Sequence, residues 1–292
     1  MVWDAFALIL LMLGLGMALG RTTLLPANAS ETLNLVVLYV CLPAAVLLYV
    51  PSLRMQWSLL GVALTPWILM GATWVLVTLA ARAWRFRADE YAVLLLCVGL
   101  CNSSFIGYPM VRALLGEDAV QYAVVYDQFG TFLLLSTVGL YIVARYSGDS
   151  APSARQVALR IARFPPVWAL LAGLTVMPEQ PPEWIASGLR RLSEAMLPLV
   201  MLAVGLSIRL KLPRDEVAPL ATGLVLKLLV MPALMFKANV LESAMPTMIS
   251  AAALAMAHGL APRLSAALVG YGIVLSLLTL PAWAWLLGRM VS

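Results

Sequence analysis

The stretch Cys101-Asn102-Ser103-Ser104-Phe105-Ile106-Gly107-Tyr108-Pro109 cannot be one uninterrupted helix, and its reading decides the fold. Residues 91–100 before it are almost pure hydrocarbon, and residues 110–115 after it are mostly apolar. Pro109 has no N–H and disfavours helical geometry at Tyr108. Gly107 accepts whatever dihedrals the interruption needs. At membrane depth, backbone groups freed in this way survive only inside protein or beside a polar cavity. A proline kink repaired by neighbouring hydroxyls is the bland reading. The grouping of Asn102, Ser103 and Ser104 ahead of the break favours a binding site, because secondary transporters place their substrates at broken helices near the midplane.

The surroundings of that break are those of a polytopic membrane protein. The chain has 292 residues, 63% of them hydrophobic and 11% charged, with a mean hydropathy of +0.94. No soluble domain hides that much apolar surface. A spanning helix takes ~20 apolar residues, which leaves room for about ten spans and no soluble domain. The pI near 9.3 is no sign of nucleic acid, because the basic residues sit in short loops between apolar runs and suit anchoring at the cytoplasmic face. The lipid bilayer is therefore the expected surrounding. Cys41, Cys97 and Cys101 lie in apolar segments and imply no disulfide framework. His258 is the single histidine, so neither a metal nor a cofactor is expected. The apolar N-terminus lacks a basic leader and follows Asp4, so it reads as a retained first helix.

Spans are expected near residues 3–20, 32–50, 57–80, 90–115 (broken), 118–144, 160–177, 185–208, 215–236, 240–258 (broken) and 264–288. The one substantial polar linker, 145–159, separates a first five-helix repeat (1–144) from a second (160–292), and residues 156–163 suit a basic amphipathic helix on the inner leaflet. Both halves repeat one order of features. Pro43 in the second span matches Pro198 in the seventh; the break before Pro109 in the fourth matches one around Met245-Pro246-Thr247-Met248-Ile249-Ser250 in the ninth. Five spans per half make the repeats inverted in topology. The fold class is thus an all-α membrane protein of ten transmembrane helices, in two inverted repeats whose broken fourth and ninth helices cross. Half-helix N-termini at such a crossing suit an anion.

Orientation follows the cations of the short loops. Arg21, Arg82, Arg85, Arg87, Arg145, Arg155, Arg160, Arg163, Arg209, Lys211, Arg214 and Arg263 fall on one side. Arg54, Arg190, Arg191, Lys237 and Arg289 fall on the other, and Arg112 and Lys227 lie within spans. The richer side is cytoplasmic, which places both termini outside.

These residues resemble a known family. Asn102-Ser-Ser-Phe-Ile-Gly-Tyr-Pro109, the Gly116-Glu117-Asp118 loop and residues 122–128 are similar to the fourth and fifth spans of the auxin efflux carrier family. Met196-Leu-Pro-Leu199 through Leu206, and Ala244-Met-Pro-Thr247 through Pro262, resemble its second half. The family comprises plant PIN carriers and bacterial transporters assigned to malonate, malate or auxin-like acids. The resemblance implies a scaffold domain, a mobile transport domain, and substrate at the crossing of helices four and nine. The crossover asparagine and proline would be Asn102 and Pro109. Where plant carriers have a second proline in the ninth span, this chain has Ala251, beside Ser250, and it lacks their long cytoplasmic loop. The bacterial branch fits better, implying the inner (plasma) membrane.

Ionisable groups at depth are functional candidates. Asp127, beside Gln128, lies nine residues past Asp118, about 13 Å along a helix. Lys227 lies twelve residues past Asp215. Arg112 reads as a snorkelling residue at the outer end, and Arg190, Arg191 and Glu194 as a solvated turn before the seventh span. Enzyme readings fare badly: Asp127 stands as a lone deep aspartate, no Ser–His pair is in prospect, and there is no nucleotide-binding loop.

The expected function is a secondary carrier of small organic anions, either auxin-like monocarboxylates or malonate- and malate-like dicarboxylates, working by an elevator-like or rocking cycle. Asn102, Ser103, Ser104, Pro109, Pro246, Thr247 and Ser250 would form the substrate site. Export would follow the membrane potential, with Asp127 and Lys227 as fixed charges. Coupling to a proton or Na⁺ through Asp127, Gln128 and Lys227 is the alternative, and a receptor that binds without flux is a different class. Assembly as a homodimer is left open.

Overall fold

The computed structural model describes residues 2–22, 24–26, 28–52, 57–148, 153–207, 216–235 and 238–291. Arg54, linker residues 149–152, Arg209, Lys211, Arg214 and Lys237, used above for orientation and boundaries, lie outside the described residues. The described chain is nearly all helical, with no strand beyond one isolated antiparallel bridge. Four helices, Ala29–Tyr49, Leu59–Trp84, Glu117–Ser147 and Pro262–Leu287, are long and apolar enough to cross a membrane. Helices Pro165–Thr175 and Val217–Ala233 are shorter and also apolar.

Two compact units interleave along the sequence, one built of residues 1–57, 104–124 and 159–208, the other of 58–103, 125–158 and 209–292. In the first unit, helices Val2–Leu19 and Met196–Ser207 touch backbone to backbone. A Cβ on Gly16 would stand 2.4 Å from the Leu202 carbonyl oxygen, and one on Gly205 2.4 Å from that of Leu13. Small residues allow such close approach, which packs apolar helices where lipid offers no hydrophobic drive. Ser30 fastens the next helix by donating from Oγ to the Ala203 carbonyl at 2.7 Å.

The second unit is organised around helix Ala88–Gly99, buried on all sides from Ala92 onward. A helix apolar all round belongs in an interior. Gly223 admits Leu94 and Leu268, whose methyls would lie 2.8 and 2.6 Å from a Cβ there. At the helix start, the Arg87 N–H donates to Glu90 Oε2 at 2.8 Å, and the Arg87 guanidinium reaches Asp89, Glu90 and Glu216. Burial pushes the Asp89 carboxyl up, but its bonds to Arg87 outweigh this and hold it below the usual range.

Sequence periodicity did not foresee the π turns. Val37–Cys41 precedes Leu42-Pro43, Ser103–Gly107 precedes Tyr108-Pro109, and Leu226–Val230 precedes Met231-Pro232. Proline removes one helical donor and crowds the carbonyl one turn back. Widening the preceding turn to an i→i+5 spacing relieves that crowding without ending the helix.

Two segments differ from expectation. The apolar helix expected over 160–177 begins at Pro165, preceded by a separate polar helix, Ala154–Ala162, because consecutive prolines at 165 and 166 start a helix but cannot continue one. The segment expected over 185–208 divides at Ala195 into Glu183–Glu194 and Met196–Ser207. Arg190, Arg191 and Glu194 therefore lie on an amphipathic helix and form no turn.

Candidate crossover site

Both interrupted segments unwind into extended backbone, Leu100 at φ −110°, ψ 123° and Met248 at φ −64°, ψ 120°. Extended backbone can pair across a gap where helix cannot, and here the two breaks pair with each other inside the second unit. Cys101 and Thr247 form an antiparallel bridge. The Asn102 N–H donates to the Pro246 carbonyl at 2.9 Å, and the Met248 N–H donates to the Leu100 carbonyl at 3.1 Å. Thr247 Oγ1 donates to the Cys97 carbonyl at 2.9 Å. A helix end leaves its last carbonyls without internal donors, and Thr247 and Met248 of the other break satisfy those of Cys97 and Leu100. This is how a break survives in an apolar interior.

Beside the bridge lies a buried polar cluster. Ser103 Oγ donates to Asp127 Oδ1 at 2.6 Å and lies 3.1 Å from Thr131 Oγ1. Gln128 Nε2 donates to Asp127 Oδ2 at 2.8 Å. Cys101 Sγ is 3.6 Å from the Tyr126 hydroxyl. Tyr126, Asp127, Gln128 and Thr131 all belong to one π turn, Tyr126–Thr131. The outside of that turn is clamped in two ways: Trp67 Nε1 donates to the Phe129 carbonyl at 3.1 Å, and Gly130 leaves room for the Pro66 ring, 2.2 Å from where a Cβ would sit. Lys227 occupies a second π turn, Leu226–Val230, and is 3% exposed. π turns recur at functional sites, and both deep charges named from sequence sit on one.

The expectation that Asp127 stands alone is corrected by Glu242. This carboxylate is 4% exposed, on the short helix Ala238–Ser243 just ahead of the Pro246 break. It lies in the electrostatic field of both Asp127 and Lys227. Sequence reasoning placed it inside the ninth span and passed over it. The rule applied to Asp127, that a charge inside an apolar run is a functional candidate, would have found it.

Among the remaining sequence candidates, Asn102, Ser103, Pro246, Thr247, Ser250, Asp127, Gln128 and Lys227 all belong to the second unit. Ser250 opens helix Ile249–Ala257 and is half-buried. Ser104 and Pro109 belong to the first unit. There Pro109 lines a cavity of about 230 Å³ with Tyr49, Tyr108, Arg112, Ser193 and Glu194. Arg112 is paired to Glu194 at 2.9 Å and to Glu117 at 3.4 Å, so it is held in a bridge and does not simply snorkel.

The arrangement limits which groups can hold an anion. The hydroxyl protons of Ser103 and Thr247 are already directed at internal acceptors, leaving only lone pairs outward. Donors for a carboxylate are the Asn102 amide, the Ser250 hydroxyl and the first N–H groups of Ile249–Ala257, which have no acceptor in their own helix.

The profile of the family described as membrane transport protein matches residues 1–284. An uncharacterized transporter of Methanothermobacter thermautotrophicus is 30% identical over 295 residues, covering 94% of this chain and 95% of that one. A second uncharacterized transporter, from Methanocaldococcus jannaschii, is 24% identical over 286 residues, covering 90% and 92%. The chain therefore belongs to the membrane transport protein family, the auxin efflux carriers whose crossover motif it resembles.

Proposed function

We propose that this transporter is a secondary carrier of small organic anions, mono- or dicarboxylates, which bind at the paired breaks. The observation that carries the reading is the Cys101–Thr247 bridge, which joins two interrupted helices in one body beside the Asn102 amide and the start of helix Ile249–Ala257. Asn102 and Ser250, with the N–H groups of that first turn, are the anion donors. Ser103, Thr247 and Pro246 hold the crossing in shape. Ser104 and Pro109, in the first unit, continue the chain of the fourth-span break past Ser103.

The wider reading is ten spans in two inverted repeats, 1–144 and 160–292, joined by 145–159, in a bacterial inner membrane with both termini outside. Alternating access then moves the body carrying the crossing, in the manner of an elevator. The partners are the carboxylate and the bilayer, with no cofactor.

The driving force has two versions, export driven by the membrane potential alone and transport coupled to a proton or Na⁺. A monoanion leaving an inside-negative cell gains about 2.3 kcal/mol per 100 mV, and a self-neutralised Asp127 and Lys227 would need no coupling ion. Glu242 favours the second version, because it adds a buried negative charge that Lys227 cannot also balance. Reconstituted liposomes test the function itself: a carrier exchanges labelled malonate, malate or an aromatic monocarboxylate faster than protein-free vesicles. A receptor binds one of them without flux.

A further inference from the structure

The buried charges of the second unit fall into two groups. Glu90 and Glu216 sit with Arg87 at the end of a helix, where the guanidinium is half exposed. Asp127, Lys227 and Glu242 form the other group, each at most 4% exposed. Fully ionised, this second group carries one uncompensated negative charge, a costly state in an apolar interior. Its members are not equally provided for. Asp127 accepts from Ser103 and Gln128. Neither Glu242 oxygen has a hydrogen-bond donor among the described residues, nor has Gln128 Oε1. The unmet need is for a positive charge or a proton at Glu242.

A metal cation such as Na⁺ would need several converging oxygens. The carbonyls freed by the breaks are the natural supply, but those of Cys97, Leu100 and Pro246 already accept from Thr247, Met248 and Asn102. A proton needs only the carboxylate. The other titratable groups within electrostatic reach are Cys97 and Cys101 beside Lys227, and Cys101 and Tyr126 beside Glu242. None of them is a carboxylate, and none bears charge while it keeps its own proton, so none offsets the negative charge of the group.

Resting on the carrier reading above, we propose that Glu242 is the proton-carrying residue of the transport cycle, loaded together with the substrate anion. Protonation brings the group of three to neutrality. An anion then binds at the neighbouring crossover without facing a net negative charge. Loss of the proton restores that charge and expels the anion, so proton and substrate move in the same direction.

Two measurements on the full-length chain in lipid test this separately from the carrier reading. In pH-jump difference infrared spectra, the wild type should show a protonated-carboxyl carbonyl band that alkaline buffer removes. The band should be missing in Glu242→Gln and present in Asp127→Asn and in Glu242→Asp. A band unchanged by Glu242→Gln, or no such band in the wild type, overturns the proposal whether or not any substrate moves. In liposomes clamped at zero voltage, a pH gradient of one unit should concentrate malonate or malate up to about tenfold at one proton per molecule, and Glu242→Gln should reduce the ratio to one. Exchange of the acid with no response to the pH gradient, or accumulation driven by Na⁺ alone, overturns the proton role and leaves the carrier reading standing. Absence of any carboxylate flux with the infrared band intact removes the carrier reading and retains the proton site.

Discussion

Replacing Thr247 with valine removes one hydroxyl at nearly constant volume and so tests what holds the two breaks together. Thr247 Oγ1 donates to the Cys97 carbonyl at 2.9 Å, and both residues are buried. Two magnitudes bear on the loss. Interhelical hydrogen bonds in membrane proteins average only about 0.6 kcal/mol, because the unfolded chain finds other partners in the membrane. An orphaned buried carbonyl costs about 1–3 kcal/mol. The second figure weighs more here, since the Cys97 carbonyl belongs to the last turn before a break, where the helix supplies fewer donors. We expect destabilisation of about 1–2 kcal/mol, close to a tenfold change in the unfolding equilibrium. Thr247→Ser, which keeps the donor, should lose less than half of that. Reversible unfolding of the purified protein in mixed micelles by denaturing detergent reads the difference directly. A Thr247→Val protein as stable as the wild type would refute the claim that this bond closes the crossing.

Cysteine introduced as Thr247→Cys, in a chain lacking Cys41 and Cys97, should oxidise onto native Cys101, because directly opposed residues of an antiparallel pair lie about 4.5–5.5 Å apart at Cα, within disulfide range; absence of the cross-link on mass spectrometry would place the breaks apart. Gly130→Ala drives a methyl into the Pro66 ring and should cost about 1–3 kcal/mol, partly restored by Pro66→Ala in the double variant, with a thermal melt as the readout. Gly205→Leu should destabilise at least as strongly, since the obstacle is the backbone of Leu13 and Gly16 and no flexible side chain can yield. Arg112→Ala should change stability by less than about 1 kcal/mol, because its bridges to Glu117 and Glu194 are partly exposed.

How far the sequence could be read depended on what each feature needs. Pro109 and Pro246 mark their breaks by chemistry that acts locally, so both interruptions were legible from the chain alone. Asp127 and Lys227 stood out because a charge in hydrocarbon is conspicuous wherever it packs. Glu242 went unremarked although it lies inside the expected ninth span, four residues before Pro246, where a charge is as costly as at Asp127. The π turns carry no periodic signature of their own, since they shift a helix by a single residue. The prolines that follow three of them, at 43, 109 and 232, were visible, but how a helix accommodates a proline is a matter of local geometry. The Thr247–Cys97 bond joins residues 150 apart in sequence, and no single-sequence pattern encodes such a pairing. The interleaving of the two compact units is likewise a property of packing.

The most direct test of the carrier at the crossover compares wild-type protein with Asn102→Ala in proteoliposomes loaded with unlabelled carboxylate and exposed to the same labelled acid. The account predicts saturable counterflow in the wild type for at least one small mono- or dicarboxylate. Asn102→Ala should reduce it to the protein-free rate while eluting as a folded, monodisperse protein. Counterflow at the wild-type rate in Asn102→Ala, or none from the wild type with any such acid, would contradict it.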